Sequence, residues 1–371
     1  MRSPLQWEIE ASDGAARAGV LRTPHGSVPT PNFMPVGTRA TVKMTDSADL
    51  EALGVGMVLA NTYHLMLRPG PEVVEHLGGL HGFMGWSGPV LTDSGGYQVF
   101  SLSPRINEEG VVFRSTYDGS RVELTPERAV DVQERLGADI AMALDVLVGL
   151  PSPRRDVEAA MERTLRWADR VLAARSRDDQ AVFGIVQGGT DVELRSRSAA
   201  ETAARSFDGY GIGGFSVGES GAERGPALDA ALGELPVGKV RYVMGLGDTE
   251  GLLDAIARGT DLFDCVLPTR LGRHGKVLHP DGDYAIKWQR WARSDAALQT
   301  GCLCSTCSRY SRGYVRHLFS THEPSGPRLV TLHNLHYTLH LLAEARAAVV
   351  AGHFAAFRTK RLSRRQVRVV A

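Results

Sequence analysis

The chain has 371 residues, 43% of them hydrophobic, with 42 basic residues balanced by 42 acidic ones. That length and composition describe a globular protein with one large core or two modest ones. The opening segment MRSPLQWEIEASDG lacks the apolar run of a signal peptide and no later stretch reads as a membrane span, which predicts a cytoplasmic protein with no membrane partner.

Short apolar runs recur along the chain, each followed by a polar or glycine-containing turn. In order they are Phe33–Val36, Gly56–Ala60, Val90–Thr92, Ile140–Leu144, Val182–Val186, Gly211–Phe215, Arg241–Met244 and Leu262–Val266. Helical patterns lie between them at Thr125–Leu136, Arg154–Ala174, Val192–Arg205 and Thr249–Arg258, the first with Thr125 as N-cap and Pro126 at the first helical position. Strand and helix alternation predicts a parallel sheet, and eight units predict an α/β protein of the (β/α)8 TIM-barrel class. An open doubly wound sheet is the structural rival. Val111–Glu123, with Asp118-Gly119 between β-prone runs, reads as an inserted hairpin. No linker or tandem repeat divides the chain, so residues 1–371 read as one domain, with a barrel core near 30–275 and a metal-binding subdomain near 276–340.

In such a barrel the chemistry sits at the carboxyl ends of the strands. Asp93, Asp145 and Gln187 each follow an apolar run, and Asp264 sits within the run Leu262–Val266. One acid in such a place is usually a helix cap or an ion-pair partner; the same placement on several strands points to a shared site. Gly213-Gly214, Gly245 and Gly247 allow close backbone approach at other strand ends.

Beyond the eighth run, Cys302, Cys304 and Cys307 gather three of the four cysteines into six residues. Three thiolates and one imidazole make a closed tetrahedral zinc site, structural because no ligand position stays open. Spacing alone leaves two candidates for the imidazole. His317 lies ten residues beyond Cys307, and His333 opens a helical run with His336 and His340. Charge is also uneven: Val266–Ala371 carries 17 Lys and Arg against 5 Asp and Glu. Such an end suits a polyanion.

These segments resemble the tRNA-guanine transglycosylases, enzymes that exchange the wobble guanine of certain tRNAs for a 7-deazaguanine base. The resemblance rests on Thr92–Phe100 (TDSGGYQVF), Gly184–Gly189 (GIVQGG), Gly213–Glu219 (GGFSVGE), Asp261–Arg270 (DLFDCVLPTR) and the cysteine cluster, and it covers nearly the whole chain. It implies His333 as fourth zinc ligand, Asp264 as nucleophile and Asp93 as general acid/base. Asp145, Gln187 and the Gly214 N–H would read the base edge, with Tyr97 and Met244 sandwiching the ring. Phe215, Val217 and Glu219 would lie at the substituent of the incoming base, and Thr269, Arg270 and Arg273 would hold the flanking nucleotides. The implied partners are the tRNA anticodon arm and a second copy of the chain, in a homodimer formed through the zinc-binding surface.

The chain looks like the bacterial-type enzyme, since it ends soon after the zinc segment without the further RNA-binding module of the archaeal relatives. Val146-Leu147 stand where the common bacterial form has glutamate and cysteine, and Phe215 where leucine is usual. The expected incoming base is 7-aminomethyl-7-deazaguanine, in queuosine biosynthesis on GUN-anticodon tRNAs, with queuine as the alternative. A non-catalytic tRNA-binding subunit fits less well because both Asp93 and Asp264 are retained. A barrel metallohydrolase fits less well because the metal ligands cluster outside the barrel.

Overall fold

The computed structural model describes residues 3–102, 105–215 and 218–366. Eight parallel strands close into a barrel in chain order: Asn32–Gly37, Val58–Ala60, Val90–Thr92, Ile140–Met142, Ala181–Val186, Gly209–Ile212, Val240–Val243 and Leu262–Cys265. The last pairs with the first, Leu262 opposite Asn32 and Cys265 opposite Pro35. The expected barrel is therefore present, with one shift that matters. The sixth strand spans Gly209–Ile212 rather than Gly211–Phe215, so Gly213, Gly214 and Phe215 leave the sheet and form a loop at its carboxyl end.

Helices pack outside the strands as their apolar stripes require. Pro126–Leu136 starts where expected, the Thr125 hydroxyl accepting from the Arg128 N–H at 3.2 Å, and it stops at Gly137 in the left-handed region. Arg154–Ala174, Val192–Ala203 and Thr249–Ala257 follow the predicted spans closely. The insertion after the third strand is a three-stranded antiparallel sheet of Arg105–Ile106, Val111–Arg114 and Arg121–Leu124, one short strand more than the expected hairpin.

An antiparallel sheet that the sequence reading did not foresee precedes the barrel: Gln6–Asp13, Ala16–Thr23 and Gly26–Thr30. It closes the amino-terminal mouth. Its Leu21 and Val28 join Met34, Leu59, Leu91, Ile140, Phe183 and Leu262 in one buried cluster. Two buried carboxylates that immediately precede barrel strands pin it there. Asp261 accepts from the Arg17 guanidinium through both oxygens and from the Arg241 N–H at 2.7 Å. Asp139 meets His25 Nδ1 at 2.8 Å and His81 Nε2 at 3.3 Å, and accepts from the Val90 N–H at 2.8 Å. The His25 and His81 rings stack 3.6 Å apart. Burial would raise the Asp139 pKa, but the hydrogen bonds from His81, Val90 and His25 outweigh it and hold the carboxyl down at about 2.

After the eighth strand come the helix Leu267–His274, a ribbon of Lys276–Val277 and Tyr284–Ala285, the cysteine-bearing segment, and helices Arg312–Ser320, Ser325–Val350 and Phe354–Gln366. The long helix has no single apolar stripe because it has neighbours on several sides. Leu341, Leu342 and Ala345 join the main barrel core, whereas Val330 joins Val277, Leu298 and Val315 beside the cysteines. Among the described residues no helix is long and apolar enough to cross a membrane.

Candidate active site and metal centre

At the carboxyl ends of the strands lies a cavity of about 570 Å³. Asp93, Tyr97, Asp145, Gln187, Gly214, Phe215, Met244, Asp264 and Arg270 all line it, as do Leu147 and Asn61. Glu219, Thr269 and Arg273 lie outside its lining, and Val217 falls outside the described residues.

The two carboxylates proposed for the chemistry are held differently. Asp93 has both oxygens engaged: Oδ1 accepts from the Thr62 N–H at 2.9 Å and the Gly95 N–H at 3.1 Å, and Oδ2 from Asn61 Nδ2 at 2.5 Å. Burial raises its pKa, the three donors oppose that, and the Asp264 charge adds to it, leaving the group at about 7. In Asp264 both donors converge on Oδ1, the Tyr242 hydroxyl at 2.6 Å and the Gly245 N–H at 2.8 Å. Its pKa is also raised by burial, with these two hydrogen bonds pulling the other way.

Asp145 is buried at the inner end of the cavity, accepting from the Ser94 hydroxyl at 2.9 Å and from Gln187 Nε2 at 2.6 Å. One amide proton of Gln187 is thus committed to Asp145, leaving one for a ligand. Gly214 sits against the same amide. A β-carbon there would come within 2.6 Å of Gln187 Oε1, and its φ of +73° lies in the left-handed region, so glycine is required on both counts.

Phe215 stacks over the buried guanidinium of Arg195, 4.4 Å from its ring centroid, while Arg195 donates to the Gly189 carbonyl at 2.7 Å and the Val186 carbonyl at 3.0 Å. Behind this loop the Glu219 side chain is almost wholly buried, 3.8 Å from Arg224. Arg270 is exposed at the cavity edge. Thr269 is buried, its hydroxyl donating to the Val266 carbonyl at 3.1 Å, so within this helix it serves the backbone.

The cysteine segment brings four ligand atoms together. His333 Nδ1 lies 3.7, 3.6 and 3.3 Å from the sulfurs of Cys302, Cys304 and Cys307. Nε2 of the same ring is 3.0 Å from the Leu278 carbonyl, so it carries the proton and turns the lone pair of Nδ1 toward the sulfurs. His333, and not His317, completes the group that could hold a metal ion.

Residues 12–367 match the family model described as queuine tRNA-ribosyltransferase. A queuine tRNA-ribosyltransferase of Herpetosiphon aurantiacus is 51% identical over 362 residues, covering 97% of this chain and 92% of the relative. One from Thermus thermophilus is 51% identical over 356 residues, covering 95% and 92%. One from Geobacillus kaustophilus is 46% identical and covers 96% of each chain. The chain belongs to the queuine tRNA-ribosyltransferase family. It is accordingly an enzyme of the tRNA-guanine transglycosylase class.

Within this member of the family, sequence reasoning passed over several groups that shape the site. Asn61 and Thr62 follow the strand Val58–Ala60 and hold Asp93. The rule that drew attention to acids at strand ends applies equally to Asn61. Tyr242 lies inside a strand, where only inward orientation marks it. Arg195 lies in a helix, where nothing in the sequence separates it from the exposed arginines around it.

Proposed function

We propose that this chain exchanges the wobble guanine of GUN-anticodon tRNAs for 7-aminomethyl-7-deazaguanine by two displacements at the ribose anomeric carbon, in queuosine biosynthesis. The observation that carries this reading is the unequal handling of Asp93 and Asp264 within one cavity. Asp264 has one oxygen fixed by two donors, which leaves Oδ2 for a substrate. Asp93 has both oxygens engaged and a pKa near 7, suited to passing a proton either way at neutral pH.

In the first displacement Asp264 Oδ2 forms a bond to the anomeric carbon as the glycosidic C–N bond breaks, and Asp93 gives its proton to the departing guanine. In the second, Asp93 takes the N–H proton of the incoming base, whose nitrogen bonds to the same carbon while the Asp264–ribose bond breaks. Two inversions restore the original configuration. Asp145 accepts from the imide and exocyclic amine of the base, and the free Gln187 proton and the Gly214 N–H donate to its carbonyl. Tyr97 and Met244 replace the stacking lost when the base leaves the anticodon loop.

Arg270 and Arg273, on the helix that follows Asp264, take the neighbouring phosphates. Phe215 and Leu147 wall the part of the cavity that receives the 7-substituent; in the sequence Val217 stands two residues after Phe215, and Glu219, whose side chain is buried, two further on. Queuine is the second reading for the incoming base.

The metal of the Cys3His group is zinc. Zn–S bonds of ~2.3 Å and Zn–N of ~2.05 Å at tetrahedral angles give a sulfur–nitrogen edge of ~3.6 Å. The observed separations of 3.3 to 3.7 Å fit that edge. Zinc would tie the cysteine segment to the long helix and take no part in bond breaking. The enzyme works in the cytoplasm as a homodimer. Competitive exchange of labelled guanine, 7-aminomethyl-7-deazaguanine and queuine into an anticodon stem-loop tests the function: incorporation of the aminomethyl base supports it, equal use of queuine makes salvage the better reading, and no exchange of any base overturns it.

A further inference from the structure

Of the histidines in the helical run His333, His336 and His340, the first belongs to the Cys3His group and the other two lie outside it. On the helix Ser325–Val350 these three and Glu344 follow one another at spacings of three, four and four residues, which puts all of them on one face. The exposure of the histidines rises in the same order. His333 is wholly buried beside the cysteines, His336 is half-buried, and the His340 side chain is 60% exposed. The His336 and His340 rings lie nearly parallel, 7° apart in plane, with centroids separated by 5.8 Å. A row of metal-binding groups therefore runs from the Cys3His centre to solvent.

His336, His340 and Glu344 line a cavity of about 290 Å³, and Cys302 is part of its wall. Cys304 is buried, whereas Cys302 is partly exposed and has His336 as a hydrogen-bond partner besides Cys304, Cys307 and His333. Cys307 is partly exposed too, but the hollow it borders offers the Asp295 carboxylate and no imidazole. The two arginines of the cavity wall are compensated. Arg361 pairs with Glu344, and Arg364 donates to Asp281 at 2.9 Å, so neither opposes an approaching cation with an unpaired charge. Two histidines one turn apart on one helix face are a recurring zinc-binding pair, and neutral imidazole is a ready ligand near physiological pH.

We infer that this cavity is the route by which zinc enters and leaves the Cys3His group, with His340 and His336 as successive holding points before the ion reaches Cys302 and His333. This rests on the reading of that group as a zinc centre and adds the path of its ion. A closed four-ligand site has no position free for an approaching ion. The ion is instead held outside the site while it sheds water, and His336, beside Cys302, hands it to the first sulfur. The thiol protons pass to water as the thiolates bind.

The test is exchange of isotopically labelled zinc into the zinc-loaded full chain, followed by mass spectrometry of the bound metal, with zinc content and melting curves for every variant. In the wild type the exchange rate should level off as free zinc rises, because the incoming ion first fills the histidine pair. His340→Ala and His336→Ala should each remove the levelling and slow exchange roughly tenfold. Both should keep full zinc content and the wild-type melting temperature, since a route changes entry and exit alike and leaves the equilibrium where it was. His353→Ala, at an exposed position in the turn beyond the same helix, should exchange as the wild type does. Wild-type exchange in both His336→Ala and His340→Ala would overturn the route. So would faster exchange with a lower melting temperature in His336→Ala, which would make that residue a support for Cys302. A wild-type chain that holds no zinc would overturn the reading of the metal centre together with the route.

Discussion

Asp93 and Asp264 are the same residue type at the ends of two strands, and what separates them is the number and placement of donors. Three donors spread over both oxygens fix Asp93, while two donors on one oxygen orient Asp264. Asp93 donates a proton in the first displacement, so adduct formation should be fast below its pKa of about 7 and should fall as the pH rises through that value. Single-turnover adduct formation across the neutral range measures this, and a flat profile there would contradict the assignment. Gly214→Ala should raise the KM for guanine at least ~10-fold, because the new methyl displaces the Gln187 amide that organises Asp145. An unchanged KM would mean that Gln187 has no part in holding the base. Asp93, Asp145, Gln187 and Asp264 were legible in the sequence because each is a polar group directly after an apolar run or, for Asp264, within one. Their supports were less so: Asn61 obeys the same rule yet went unread, and Arg195 is one arginine among many until its burial beneath Phe215 is seen.

At the scale of elements, the helix carrying Arg270 and Arg273 and the helix carrying His333 are packed together, with Asn334 Nδ2 donating to the Pro268 carbonyl at 3.0 Å and Gly272 lying against Thr331. A β-carbon on Gly272 would approach the Thr331 backbone within 2.8 Å. Gly272→Ala should separate the two helices, destabilise the protein by ~1–3 kcal/mol and weaken RNA binding, which calorimetry and RNA titration would show; a wild-type melting temperature would place the two helices further apart than described. Cys304→Ser should reduce bound zinc well below the ~1 equivalent of a three-cysteine, one-histidine site and lower the melting temperature, while any residual exchange retains the pH profile of the wild type. Full metal content in that variant would count against the cluster. The barrel strands were readable because strands buried on both faces are short continuous apolar runs. The amino-terminal sheet was not, although Trp7, Ile9 and Ala11 alternate with polar residues as a half-buried strand should. That pattern identifies a strand without showing that it seals a barrel.

For the whole molecule, the two barrel mouths do different work. The amino-terminal mouth is sealed by buried, hydrogen-bonded carboxylates, of which Asp139 contributes stability that is present above the ordinary carboxylate pKa and is lost as the pH falls toward about 2. Asp139→Asn should therefore cost ~2 kcal/mol at neutral pH, with the difference from wild type shrinking in acid, as denaturant titrations at several pH values would register. The carboxyl-terminal mouth keeps its polar groups open to the cavity. The excess positive charge of residues 266–371 was visible in composition, within a chain of zero net charge. The measurement that tests the central claim most directly is the intact mass of the protein after incubation with anticodon stem-loop RNA and denaturation. Wild-type protein should carry a covalent RNA adduct that Asp264→Asn abolishes; an adduct that survives Asp264→Asn and disappears in Asp93→Asn would contradict the account and exchange the roles of the two carboxylates.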